Sequence, residues 1–235
     1  MSLARYLIDK SVSLLGGVLK YRKISNPLKH LNQKVCVNLG CGLAVTAGWN
    51  NVDASLNALF AGSPNFVLGL LYRISGANRY YSKNIYCSLL SDNKFIFHDL
   101  ARSLPFESSS VDFFYSSHFF EHLFRDDAKR LLREMYVALK PDGAIRIAVP
   151  NLNYAVNLYA SGNKYQMLDD YFFVNDMASY LARHKYMYDF ELLSELLNDV
   201  GYKNIRSCMF GEGGLPDLDK LDNRPTDTLF VEATK

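Results

Sequence analysis

The strongest constraint on the fold lies between Val35 and Asp53. There an alternating apolar run, Val35, Val37 and Leu39, leads directly into Gly40-Cys41-Gly42, and an acidic residue, Asp53, follows eleven residues after Gly42. An apolar run ending in glycines reads as a buried strand entering a tight bend, and a bend without side chains lets backbone N–H groups approach a ligand. A plain strand exit would look the same at this point. Asp53 closes the next short run, 51–53, where a carboxylate can accept hydrogen bonds from both ribose hydroxyls of an adenosine. The interval is shorter than the ~20 residues of a dinucleotide fingerprint, and Ala44 denies the G-x-G-x-x-G frame its third glycine, which disfavours a nicotinamide cofactor.

Further strands are expected over 95–98, 111–116 and 144–149. Between the last two, Leu131, Leu132, Met135 and Leu139 recur at helical spacing over 126–139, and Lys140-Pro141-Asp142-Gly143 reads as the turn that stops this helix. A second amphipathic helix over 190–200 ends at Gly201, and strands over 205–210 and 228–233 follow it. Strands alternating with helices predict an α/β fold: a doubly wound, mostly parallel seven-stranded sheet with helices on both faces and one antiparallel strand near the C-terminus. The 235 residues suit one domain, 35–235, preceded by a basic helical arm, 1–34. Two segments exceed the minimal pattern: an insertion at 54–94, with a short helix at 66–72, and a Tyr- and Phe-rich helical region at 151–187. Both follow the C-terminal ends of strands, so they are expected to form the lid and substrate wall.

Net charge is +2, but the arm holds seven basic residues against Asp9 alone, +6, which leaves −4 for the rest. Such an arm suits either a solvated helix capping the domain or peripheral contact with anionic lipid or a phosphate-bearing substrate. Its uninterrupted apolar stretch, 11–19, is short of the ~20 residues that span a bilayer, and neither a signal peptide nor a spanning helix is expected. Cys36, Cys41, Cys87 and Cys208 form no CxxC pair and no zinc spacing, which points to a reducing cytoplasm and no metal site.

Four stretches in order, 35–42, 48–53, 99–122 and Arg133-Glu134 with Leu139 to Gly143, resemble class I S-adenosylmethionine-dependent methyltransferases, small-molecule branch. Asp142 stands where that family usually has a glycine. The resemblance implies S-adenosylmethionine as cofactor, its carboxylate on the N–H groups of the glycine turn, its ribose on Asp53 and its adenine amino group near Asp99 and Leu100. Asn38, Gly40, Cys41, Gly42, Ser116, Ser117 and His118 complete the expected cofactor set, with His118 as a wall residue. No metal is required. Glu121 reads as a helix-start carboxylate, and His122 is the first candidate for a general base, the alternative being a histidine that merely bonds backbone. His184 is the second candidate.

The expected activity is O-methylation of a small polar acceptor, by analogy a saccharide or glycan intermediate, possible phosphate included. An aromatic set at Tyr154, Tyr159, Tyr165, Tyr171, Phe172, Phe173, Tyr180, Tyr186 and Tyr188 is read mostly as core. Asp217, Asp219, Asp222 and Arg224 suit either substrate hydroxyls or an internal ion pair. Nucleic acid is not expected, because no Asn/Asp-Pro-Pro-Tyr element follows the fourth strand. A non-catalytic binding module and an NAD-linked oxidoreductase remain the competing readings.

Overall fold

The apolar run at the head of the domain becomes an interior strand of a seven-stranded sheet in the computed structural model, which describes residues 3–30, 33–172 and 183–235. In chain order the strands are β1 (Cys36–Leu39), β2 (Asn50–Asp53), β3 (Phe95–Phe97), β4 (Val111–Ser117), β5 (Leu139–Pro150), β6 (Lys203–Cys208) and β7 (Thr228–Thr234). Their order across the sheet is β3-β2-β1-β4-β5-β7-β6. β7 runs antiparallel to both its neighbours and the other pairings are parallel, so the expected mixed sheet is present. β1 is buried at all four positions, as a strand covered on both faces must be.

On one face α5 (Arg125–Ala138) and α8 (Phe190–Val200) bury Leu131, Leu132, Met135, Leu193, Leu196 and Leu197 against the sheet. α8 is set by its ends: the Asp189 carboxylate accepts from the Leu192 N–H, and Gly201 takes the left-handed φ of 110°. The opposite face carries a smaller apolar cluster of Trp49, Tyr115, Leu215, Leu218 and Leu221, capped by α9 (Leu218–Leu221).

The insertion is larger in structure than its sequence suggested. It folds into α2 (Leu56–Phe60), α3 (Asn65–Ile74), a 3-10 turn at Ala77–Arg79 and α4 (Lys83–Asp92), around a private core of Leu68, Leu71, Tyr86 and Leu90. Ser55 and Ser82 cap α2 and α4. The region after β5 contributes α6 (Leu152–Ala160) and α7 (Lys164–Tyr171). Lys140 to Gly143 is not a free turn. β5 begins at Leu139, opposite Val111, and the register shift against β4 absorbs Asp142 at φ 61° while Lys140 Nζ reaches the Asp112 carboxylate.

α1 (Leu3–Leu19) lies on the domain, with Val12 buried beside Ala58 and Phe97, while Leu14 and Val18 face solvent. Among the described residues no helix is long and apolar enough to cross a membrane. The C-terminal loop is anchored by a charge: Arg146, in the middle of β5 and 0% exposed, donates to Asp222, to Glu232 and to the carbonyls of Met209 and Glu212. Burial alone would lower its pKa, but Asp222 and Glu232 more than offset this and hold the guanidinium charged.

Candidate active site

β1 lies between β2 and β4, so the loops leaving the C-terminal ends of these strands diverge and open a crevice, the place where open α/β sheets bind ligands. A cavity of about 150 Å³ occupies it. Gly40, Asp53, His98, Asp99, Leu100, Phe119, His122 and Lys185 are among its lining residues. Two carboxylates among apolar walls are of the kind that can accept from hydroxyl and amino groups of a ligand. His98 adds a buried ring nitrogen, Nδ1, with no partner among the described residues; burial lowers its pKa and keeps the ring neutral.

The glycine turn departs from expectation. Among the described residues no helix separates β1 from β2, so the N–H groups of the turn are satisfied inside the protein. Those of Gly40 and Cys41 donate to the Val52 carbonyl, and that of Gly42 donates to Asp53 Oδ2 at 3.0 Å. These donors are therefore engaged within the protein and not aimed at a ligand carboxylate. Gly40 has a different necessity: a Cβ there would lie 2.2 Å from Cγ of Phe119, whose ring lies across the turn.

Asp99 sits under α1. A Cβ at Gly16 would fall 2.6 Å from the Asp99 Cβ, so glycine is what lets the helix rest on this residue. Arg102 ties the two together, donating from Nε to Asp99 Oδ2 at 2.9 Å and from an Nη to the Ser13 hydroxyl at 3.1 Å. The arm thus lies over the cavity at Asp99. Gly16→Leu is expected to lift α1, at a cost of about 1–3 kcal/mol for the overpacked contact, and to weaken cofactor binding about tenfold. Titration calorimetry and limited trypsin digestion at Lys10 and Lys20 check this; unaltered affinity and cleavage rate would reject the cover.

Beside the cavity, two loops clasp each other. The N–H groups of Lys185 and Tyr186 donate to the Glu121 carbonyl, Lys185 Nζ donates to the His122 carbonyl, and His122 Nδ1 lies 3.2 Å from the Arg183 carbonyl. A carbonyl only accepts, so the His122 proton is on Nδ1 and Nε2 presents a lone pair. The clasp brings the His122 and His184 rings to 5.2 Å between centroids. Burial lowers the His184 pKa, leaving that ring neutral near pH 7. Glu121 is not at the start of a long helix as expected. It lies in a 3-10 turn, Phe120–His122, ahead of α5, and because Phe120 anchors that turn in the core its carboxylate is 1% exposed with neither oxygen hydrogen-bonded among the described residues.

Residues 78–147 match the family model described as a methyltransferase domain. This match supports a class I S-adenosylmethionine-dependent methyltransferase. It indicates S-adenosylmethionine as the cofactor. Among solved structures it is similar to a methyltransferase of Thermotoga maritima described as a possible histamine N-methyltransferase, at 15% identity, covering 86% of this chain and 82% of that one, TM-score 0.47. A methyltransferase from Archaeoglobus fulgidus matches at 16% identity over 98% and 94% of the two chains, TM-score 0.46. The 1,6-didemethyltoxoflavin-N1-methyltransferase of Burkholderia thailandensis, with its substrate and S-adenosylhomocysteine bound, matches at 14% identity over 96% and 76%, TM-score 0.45. No curated protein matches significantly.

Within this methyltransferase the other expected site residues are spread between the crevice and its supports. Gly40, Asp53, Asp99, Leu100 and His122 line the cavity. Asn38 and Ser116 stand behind it, bonding the Ala44 and Leu39 carbonyls. The buried Cys41 thiol is pushed well up by desolvation and lies against the Gly42 carbonyl, and Ser117 reaches Asn223. His118 points away from the cavity: its Nε2 bonds Thr228 Oγ1 at 3.1 Å and Arg224 meets its Nδ1 at 3.3 Å. Arg224 thus joins a histidine rather than an aspartate. Asp222 is spent on Arg146, and Asp217 on Trp49, Lys220 and His30, so neither faces a substrate.

The aromatic set is less internal than expected. Tyr171 and Tyr188 are buried, but Tyr154, Tyr159, Tyr165 and Phe172 are exposed, and Phe173 and Tyr180 lie outside the described residues. Phe119, Lys185, Gly16 and Arg102 were not singled out from sequence. Only the pairing of Gly16 with Gly17 inside an apolar helix signalled a close approach.

Proposed function

We propose that this methyltransferase acts on a hydroxyl group of a small polar acceptor, with Asp53 receiving the ribose hydroxyls and Asp99 and Leu100 the adenine of the cofactor. The observation that carries the reading is His122, which belongs both to the cofactor cavity and to the buried Glu121-His184 cluster, and whose Nε2 lone pair is left free by the Arg183 carbonyl. Bound in the crevice, S-adenosylmethionine supplies a methyl group already activated on a sulfonium. The protein's part is alignment, exclusion of water and removal of a proton, and a hydroxyl nucleophile needs that last service where a neutral amine does not. A saccharide, with or without phosphate, is the acceptor class we favour; the family resemblance and Lys185 on the cavity wall support it.

His122→Ala is expected to lower kcat by about 10²–10⁴-fold while cofactor affinity stays within a fewfold. The measurement is transfer of isotopically labelled methyl to a panel of saccharides and sugar phosphates, with calorimetry for the cofactor. Full turnover by the variant would reject the role, and label appearing only on amines would reject O-methylation.

A further inference from the structure

We infer that Glu121, His122 and His184 form a binding site for one divalent transition-metal cation. One ligand atom from each side chain lies within 4.8 Å of the other two. His122 Nε2 is 3.8 Å from Glu121 Oε1, too long for a hydrogen bond. It is close to the separation of two ligands on one ion, since bonds of 2.0–2.2 Å at tetrahedral or octahedral angles set ligand atoms about 3–3.5 Å apart. A small contraction of the cluster would complete the site.

The Glu121 carboxylate shows why something must sit there. It is 1% exposed, and neither oxygen has a hydrogen-bond partner among the described residues. A buried carboxylate in that state is strongly disfavoured unless a cation or a proton joins it. The surrounding groups do not supply one. His118 Nδ1, 3.5 Å away, already accepts from Arg224, which places its proton on Nε2 toward Thr228. His122 carries its proton on Nδ1, toward the Arg183 carbonyl. Among the described residues His184 Nδ1 is buried without a partner, and so is the Tyr188 hydroxyl. Two imidazoles and an unpaired carboxylate thus bring one ligand atom each within 4.8 Å of one another.

The donor set selects the ligand. Two imidazoles with one carboxylate suit zinc, iron, cobalt or manganese, whereas calcium and magnesium favour oxygen alone. Three protein ligands leave coordination positions open, as in catalytic rather than structural sites. The His122 Nδ1–H bond to a backbone carbonyl is the outer contact that fixes a ligating ring and raises its basicity. Because His122 also lines the cofactor cavity, the cation would lie next to the transferring methyl group. Only its use there, to bind the acceptor hydroxyl and make it more acidic with His122 as ligand instead of free base, rests on the O-methylation reading.

The test is Zn²⁺ or Co²⁺ alone, titrated into tag-free protein stripped with chelator. We expect one ion per chain, a raised Tm, and visible absorption from the Co²⁺ form. Glu121→Gln and His184→Ala should each weaken metal binding by at least 100-fold, with urea unfolding used to confirm that the variants are folded. Absence of stoichiometric binding, or binding that both folded variants retain, would overturn the site. S-adenosylmethionine titrated into the same metal-free samples reports separately on the methyltransferase reading, which survives if the cofactor binds and the metal does not.

Discussion

Asp53→Ala is expected to raise the dissociation constant for S-adenosylmethionine by about 100-fold or more. Each hydrogen bond to a charged group is worth about 1.5–3 kcal/mol, and on the proposed reading Asp53 offers two carboxylate oxygens to two ribose hydroxyls. In the structure those oxygens are held in place by the N–H groups of Gly42 and Ser55, at 3.0 and 2.7 Å. The substitution therefore removes a ligand contact and also frees two backbone donors beside the crevice. Asp53→Asn separates the effects: its amide oxygen still accepts from one donor while the charge is lost. Calorimetry with S-adenosylhomocysteine is the measurement, with thermal unfolding alongside. If affinity is unchanged in a folded Asp53→Ala protein, the ribose is held elsewhere and the crevice is misassigned.

The second large effect is on stability. Arg146→Leu is expected to cost about 3–5 kcal/mol at neutral pH, the range for removing one partner from a buried ionic cluster. Asp222 and Glu232, 6% and 5% exposed, would face each other across the vacated guanidinium, with Arg206 at 2.7 Å and the Gly214 N–H left beside Glu232. The two carboxylates would then repel each other with no guanidinium between them. Adding Asp222→Leu and Glu232→Met should restore most of the loss, because apolar replacements of a whole buried cluster are often neutral. Urea unfolding at neutral pH checks both statements; a loss below about 1 kcal/mol would show that the cluster is dispensable.

The sheet was legible because its signals are local. Val35, Val37 and Leu39, or the leucines of 190–200, declare a strand or a helix through periodicity alone, and the antiparallel strand followed from two short runs joined by a Gly- and Asp-rich loop. The insertion was legible only in part, since α4 shows no clean apolar stripe and its Tyr86 and Leu90 find their partners on α3. At the site, Asp53 and Asp99, read from their places after strands, both line the cavity. The glycine turn was misread in one respect: its donors serve Val52 and Asp53, and no local pattern announces which carbonyl will reach a given N–H. Glu121 and His184 lie far apart in sequence, and only the clasp between 121–122 and 183–186 joins them. Arg146 was open to detection, as a charge alternating with Ile145 and Ile147 in a strand expected to be buried.

The arm also has a place in time. Lys23 bonds the carbonyl of Leu104, 81 residues on, and His30 pairs with Asp217, 187 residues on. In a chain synthesised from N- to C-terminus, this segment cannot acquire its last partner until nearly the whole sheet has emerged. The loop closed by His30 and Asp217 encloses the entire parallel sheet, so the entropy of closing it is small only once that sheet has formed. The arm, though made before the sheet, is consequently among the last pieces to settle, and the crevice is completed only when it does.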